Sequence, residues 1–268
     1  MFFIHLSDTK ERELVKLFWT GGWDSTFRLL QLVLEQGRTV QPYYVIDPNR
    51  LSLRHEIKAM SDIEQAIYQR SPDKKGLILP TIIVEAADIP LDEEIESARK
   101  VFITRKRMET QFLWFVRYCK QHQIYEMELC NETKLNPSPG YVKHYYLTQV
   151  GDGPEHRLAD EYRTRNENIL FQYFNYPIFG MTKLDMKNYA DKAGWSDLMA
   201  MTWFCHYPVK GRYPCGTCMP CNLVIREGLG WRIPWHRRIY ARLGVEKMRK
   251  KLAELIRKAN PGFHQWKQ

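Results

Sequence analysis

Apolar and polar positions follow two alternating rhythms along the first half of the chain. Leu14 to Trp19 is a short apolar run ending at Gly21 and Gly22, which predicts a buried strand and a turn. Asp24 and Ser25 then open a helical pattern from Thr26 to Glu35, closed by Gly37. Val40–Ile46 reads as a second strand, 54–69 as a second helix and 76–84 as a third strand containing Pro80. A long helix is predicted over 105–122 and a strand over 125–129. This repeated strand–helix alternation predicts an α/β fold, a parallel sheet with helices on both faces.

Beyond it, 136–154 is rich in proline and glycine and reads as loop, and 160–174 reads as a helix. Thr182 is a good N-cap for a helix over 183–193, with Asp185 at its third position and Gly194 as the stop. A cysteine cluster and a basic helical stretch follow. The expected organisation is a nucleotide-binding domain over 1–180 and a C-terminal helical part over 181–268.

Composition narrows the class. Hydrophobic residues at 44% and aromatics at 13% exclude wholesale disorder. No apolar run approaches the roughly 20 residues that span a bilayer. Met1–Arg12 reads as neither signal peptide nor anchor, so no membrane partner is expected and the expected compartment is the cytoplasm. The formal charge of +9 points to anionic partners, and Arg232 to Lys258 carries a large share of it.

Two clusters carry candidate chemistry. Thr20-Gly21-Gly22-Trp23-Asp24-Ser25-Thr26 lies between a predicted strand and a predicted helix. Two glycines let backbone N–H groups converge on one point, and the helix N-terminus behind them favours an anion. The hydroxyls of Thr20, Ser25 and Thr26 add donors. The string lacks the Gly-Lys-Ser/Thr ending of a Walker loop. The second cluster is Cys205, Cys215, Cys218 and Cys221, four of the six cysteines within 17 residues. Four thiolates with two-residue gaps suit tetrahedral Zn²⁺ closed on all sides, with an iron–sulfur cluster as the rival. Cys119 and Cys130 stand alone in apolar surroundings and read as core thiols.

The first cluster resembles the Ser-Gly-Gly-x-Asp-Ser loop of the PP-loop ATP pyrophosphatases, with Thr20 in place of the first serine. The second half is more specific. Tyr176 to Lys183, then Thr202-Trp203-Phe204-Cys205, then Cys215-Gly216-Thr217-Cys218-Met219-Pro220-Cys221 followed by Arg226 and Gly228, is similar to the 7-cyano-7-deazaguanine synthase family. Arg54-His55 looks like that family's Gln-Arg-His element.

The resemblance implies a Rossmann-like PP-loop fold and a ligase using ATP and Mg²⁺, with Zn²⁺ as the structural metal. The carboxylate of 7-carboxy-7-deazaguanine would be adenylated with release of pyrophosphate. Ammonia would then displace AMP, and a second ATP would dehydrate the amide to a nitrile. It also implies nucleotide contacts from Thr20, Gly21, Gly22, Asp24, Ser25, Thr26, Arg54 and His55, catalytic roles for Asp24, Ser25 and Lys183, and a homodimer.

The chain departs from the family in two places. Its Tyr-Pro-Asp-Cys-Arg string has no counterpart after Asn131, and its Arg-Asn pair is replaced by Arg105-Lys106-Arg107. A divergent branch is therefore a second expectation, one that ligates the deazapurine acid to another amine, such as a protein. Two further readings are a tRNA-modifying PP-loop enzyme and a zinc-stabilised RNA-binding protein.

Overall fold

The computed structural model describes residues 14–103, 110–131, 147–162 and 166–242. By the density of its internal contacts the chain divides into two units, Met1–Trp203 and Phe204–Gln268.

The first unit is a mixed α/β structure around a seven-stranded, mostly parallel sheet. Its strands are β1 Val15–Phe18, β2 Val40–Ile46, β3 Ile82–Glu85, β4 Met127–Glu128, β5 Leu147–Gln149, β6 His156–Leu158 and β7 Phe174–Tyr176. They stand in the order β3-β2-β1-β4-β7-β6-β5. The pairs from β3 through β7 are parallel, and β6 and β5 extend that edge antiparallel. The helices of this unit are α1 Trp23–Leu30, α2 Leu53–Arg70, α3 Glu93–Ile103, α4 Thr110–Gln121, α5 Lys183–Lys192 and α6 Ser196–Ala200.

Adjacent residues of a strand face opposite sides, and both faces are covered. Phe18, Tyr43 and Val45 join Ile95 of α3 and Phe112, Phe115 and Val116 of α4 in one core. Tyr44 points the other way and donates from its hydroxyl to Glu56 of α2 at 2.5 Å. Phe27 of α1 meets Tyr189 of α5 edge to face, centroids 5.4 Å apart.

Local signals placed several boundaries well. Thr182 and Asp185 form a reciprocal capping box at the start of α5, and Gly194 ends that stretch at φ +72°. Other expectations are corrected. α1 begins at Trp23, ahead of Thr26, and its last turn widens to a π-turn over Gln31–Glu35. The third strand is confined to Ile82–Glu85, while Ile78 makes only an isolated bridge to Val40. α3 was not expected at all.

The predicted helix over 160–174 is two short 3-10 turns, Asp160–Tyr162 and Asn166–Leu170, and then β7. Its end, Phe171-Gln172-Tyr173-Phe174-Asn175-Tyr176, is aromatic-rich and suits a strand, and the free edge of β4 supplies the ladder. Within the predicted loop 136–154, β5 occupies Leu147–Gln149 and pairs with β6. The positions 105–109, most of the stretch after Asn131 and the basic run past 242 lie outside the described residues.

The second unit contains the cysteine cluster, α7 Met219–Arg226 and α8 Trp235–Arg242. No helix among the described residues is long and apolar enough to cross a membrane.

Candidate functional site

Strand order decides where a site can form. From β1 the chain steps to β2 and β3 on one side, and β4 and β7 lie on the other, so the crevice between β1 and β4 is the point where the winding reverses. In open α/β sheets, ligands bind beyond the carboxyl ends of the strands at such a point. A cleft of about 180 Å³ is found there. Phe18, Thr20, Gly22, Trp23, Asp24 and Ser25 line it from β1 and the loop, Leu129, Cys130 and Asn131 from beyond β4, and Gln111, Phe112 and Phe115 from α4.

The loop is shaped by backbone constraints. Gly21 sits at φ +66°, and a Cβ there would come within 3.0 Å of the Glu56 carbonyl oxygen, so a side chain is excluded twice over. The Gly21 carbonyl accepts from the Trp203 backbone N–H at 2.9 Å, and the Trp203 ring stacks on His55 with centroids 4.3 Å apart. Gly22 is the N-cap of α1, and no side chain caps that helix. Its first-turn N–H groups, from Trp23, Asp24 and Ser25, therefore have no partner within the helix and carry the positive end of its dipole.

Lys183, 159 residues from Asp24 in sequence, places its Nζ 2.7 and 2.9 Å from the two Asp24 carboxylate oxygens. The Lys183 side chain is 11% exposed and that of Asp24 26%; Asp24 lines the cleft, and Lys183 stands behind it as its counter-charge. The backbone N–H of Thr20 donates to Ser25 Oγ at 3.4 Å. Thr26, expected to face a ligand, is fully buried, and its hydroxyl accepts from the Trp19 indole at 3.0 Å, which makes it a brace between β1 and α1. Arg54 is exposed on the first turn of α2, His55 lies against Trp203, and neither lines the cleft.

Beneath the loop two buried networks hold its flanks. Arg28 of α1 makes a two-pronged contact with Glu128 of β4, at 2.8 and 2.6 Å. Burial alone would lower the Arg28 pKa, but the hydrogen bond and charge of Glu128 outweigh it and hold the guanidinium above its usual value. On α2, Glu56 accepts from Tyr44 and from Ser52 Oγ at 2.6 Å, with Arg50 at 3.3 Å. Burial first, and then the Glu56 charge, push the Tyr44 phenol far up, so it stays a neutral donor.

Sequence reasoning missed Gln111, the place of Cys130 and the Arg28–Glu128 pair, and it noted Asn131 and Trp203 only as parts of longer strings. For Cys130 and Asn131 a signal existed, since both directly follow a strand of a parallel sheet. Cys130 is no plain core thiol: it lines the cleft, and its pKa is raised by burial and by Glu128. Cys119 is fully buried as expected, its thiol pushed up to about 12 by burial.

In the second unit Cys205, Cys215, Cys218 and Cys221 converge, with all four Sγ atoms within 4.8 Å of one another. Sulfur separations are 3.8 Å for Cys215–Cys221, 3.9 Å for Cys205–Cys218 and 3.4 Å for Cys218–Cys221. A tetrahedron with Zn–S bonds of 2.3 Å has edges of about 3.8 Å, so this set could bind zinc.

Backbone N–H groups point at the sulfurs, as thiolates require. Thr217 and Cys218 donate to Cys215 at 3.4 and 3.3 Å, and Gly216 donates to Cys221 at 3.3 Å. Hydrogen bonds within the set divide the four thiols: those from Cys205, Cys218 and Cys221 hold Cys215 below its usual range, that from Cys205 lowers Cys218 to about 7, and Cys205 and Cys221 are pushed up. Gly216, at φ +80°, has room for nothing larger: a Cβ would lie 2.6 Å from the Arg237 carbonyl oxygen.

No protein-family model matches this chain, and no significant match is found among curated proteins.

Proposed function

We propose that this protein is a PP-loop ATP pyrophosphatase that adenylates a carboxylate, with 7-carboxy-7-deazaguanine as the substrate implied by sequence resemblance. The observation that carries the reading is the position of the Thr20–Thr26 loop. It leaves β1 at the reversal point of the sheet, presents an uncapped helix N-terminus to a cleft, and has Lys183 drawn onto Asp24 at 2.7 Å. A pyrophosphate group fits this cradle by charge and by hydrogen bonding.

In the reaction, a carboxylate oxygen attacks the α-phosphorus of ATP, and the bond to the β-phosphate oxygen breaks, releasing pyrophosphate. The first-turn N–H groups of α1, the Thr20 and Ser25 hydroxyls and the Lys183 ammonium would take up the charge that develops on the leaving group. Ammonia then attacks the acyl carbon and expels AMP, leaving an amide. Conversion to the nitrile repeats the adenylation on the amide oxygen, releasing a second pyrophosphate; the C–O bond then breaks, AMP leaves with that oxygen and the nitrogen gives up its two protons. Mg²⁺ would arrive with the phosphates and screen their charge. Among the described residues that line the cleft, Asp24 is the one carboxylate.

The aromatic wall of Phe18, Phe112 and Phe115 offers stacking surface for a purine-like ring, and Gln111 and Asn131 offer amides for its polar edge. The four-cysteine site in this reading holds zinc structurally, since four sulfurs leave no open position. A thiolating reaction is disfavoured, because burial raises the pKa of both Cys119 and the cleft-lining Cys130 and so holds their thiols protonated.

The test is pyrophosphate release from ATP and Mg²⁺ with and without 7-carboxy-7-deazaguanine and ammonia, with products read by mass spectrometry. Acid-dependent release with an adenylate, amide or nitrile supports the reading. Ser25→Ala should slow release by about a hundredfold or more, the scale for losing one donor to developing charge. Release that ignores both the acid and the Ser25 change would refute it.

A further inference from the structure

The net positive charge of this protein comes from its C-terminal quarter. Residues 204–268 contain fourteen Lys and Arg against three Asp and Glu, a net +11, so the first 203 residues together carry −2 of the total +9. The proposed ATP chemistry does not account for that division, because the nucleotide cradle lies in the negative part.

Within the second unit, the excursion between the first two cysteines has an unusual surface. Cys205 and Cys215 bracket a reversal of three residues, 210–212, in which the Val209 N–H donates to the Tyr213 carbonyl at 2.8 Å and the Arg212 N–H to the Val209 carbonyl at 3.1 Å. The central residues are Lys210 at φ +52° and Gly211 at φ +60°. Both therefore lie in the left-handed region, as in the type I′ turns that favour Asn-Gly. A lysine in the first place costs more than an asparagine would, so the cation is kept there against local preference.

Lys210 and Arg212 are exposed and form no ion pair among the described residues. Tyr207 and Tyr213 flank them, 60% and 46% exposed. The same unit leaves Trp231 and Trp235 53% and 67% exposed. Tyrosine rings left in water beside the exposed Lys210 and Arg212 are what a stacking platform for unpaired bases requires: rings for the bases, cations for the phosphates.

We propose that the Tyr207–Tyr213 turn, held in shape by the four cysteines, is a binding site for single-stranded nucleic acid. Bases stack on Tyr207 and Tyr213, and Lys210 and Arg212 pair with the flanking phosphates. A duplex, whose bases are already stacked on one another, fits poorly. An anionic membrane also fits poorly, because interfacial binding takes a helix with a broad apolar face and this short turn has none.

The experiment uses the full chain, zinc-loaded, and fluorescence anisotropy with labelled single-stranded RNA and DNA of about 16 nucleotides. The corresponding duplexes and phosphatidylserine vesicles are the controls, and each titration is repeated over a range of salt. Single strands of either sugar should bind more tightly than duplex. Tyr207→Ala with Tyr213→Ala should weaken binding by roughly 10- to 100-fold and leave the salt dependence unchanged, while the two Tyr→Phe changes retain it. Lys210→Ala with Arg212→Ala should instead flatten the slope of log K against log salt by about 1.4, the loss of two phosphate contacts.

Circular dichroism and zinc content report that each variant is folded, and pyrophosphate release reports separately on the ATP site. No binding to single strands overturns the proposal. So does binding that the tyrosine changes leave unaltered, which is charge alone, and so does binding to vesicles or duplex at equal strength.

Discussion

The Arg28–Glu128 pair permits a test of the fold that is independent of any substrate. It ties α1, whose N-terminus forms the candidate phosphate cradle, to β4, whose end forms the opposite wall of the cleft. Both side chains are almost excluded from water, 10% exposed for Arg28 and 7% for Glu128. Replacing Glu128 by Ala leaves a guanidinium buried without its counter-charge, a loss that typically costs about 3–5 kcal/mol. For a unit of this size that corresponds to a melting temperature lower by on the order of 10 °C.

Removing both charges together, as Arg28→Met with Glu128→Leu, abolishes the desolvation cost along with the attraction. It should be less damaging than Glu128→Ala alone, and of the order of neutral. Urea unfolding followed by circular dichroism of Arg28→Met, Glu128→Leu and the double variant gives the three free energies whose double-mutant cycle yields the coupling. A loss below about 1 kcal/mol in Glu128→Ala, or simple additivity in the double variant, would show that the pair is not the buried bridge described here.

Cys215→Ser, or stripping the metal with a chelator, should destabilise the second unit. A closed four-sulfur site contributes its binding energy to folding, and elemental analysis of the wild type should give one zinc per chain. A stable protein without metal, or one holding iron with visible absorbance, would contradict this assignment.

The capping box of α5 carries a pH signature, because Asp185 is held below the usual carboxylate pKa by hydrogen bonds from the Thr182 hydroxyl and backbone N–H. A depressed folded pKa means the contribution is complete above the unfolded value near 4 and is lost as pH falls through the folded value. Asp185→Asn should therefore cost about 1 kcal/mol at neutral pH and progressively less in acid, measured by urea unfolding across pH. A cost that is constant with pH would remove the carboxylate from the cap.

What the sequence determined by itself was local. The glycine pair after an apolar run marked the turn at Thr20–Thr26, Thr182 and Asp185 marked the start of α5, and the spacing of Cys215, Cys218 and Cys221 marked a metal knuckle. Each of these rests on hydrogen bonds or bond geometry among residues within a few positions, so neighbouring letters suffice to read it.

The misread elements were those whose conformation is set from a distance. The aromatic stretch ending at Tyr176 is equally apolar as helix or strand, and the free edge of β4 made its end β7. Strand order was likewise closed to sequence, and it alone makes the crevice between β1 and β4 a ligand site and puts Cys130 and Asn131 into it. Lys183 reaches Asp24, Arg28 reaches Glu128 and Trp203 reaches Gly21 across separations of 100 residues or more. A lone lysine, arginine or tryptophan looks the same in sequence whether it is solvated or locked into such a contact. Only the packing of the sheet and its helices excludes water there and decides which charges must meet.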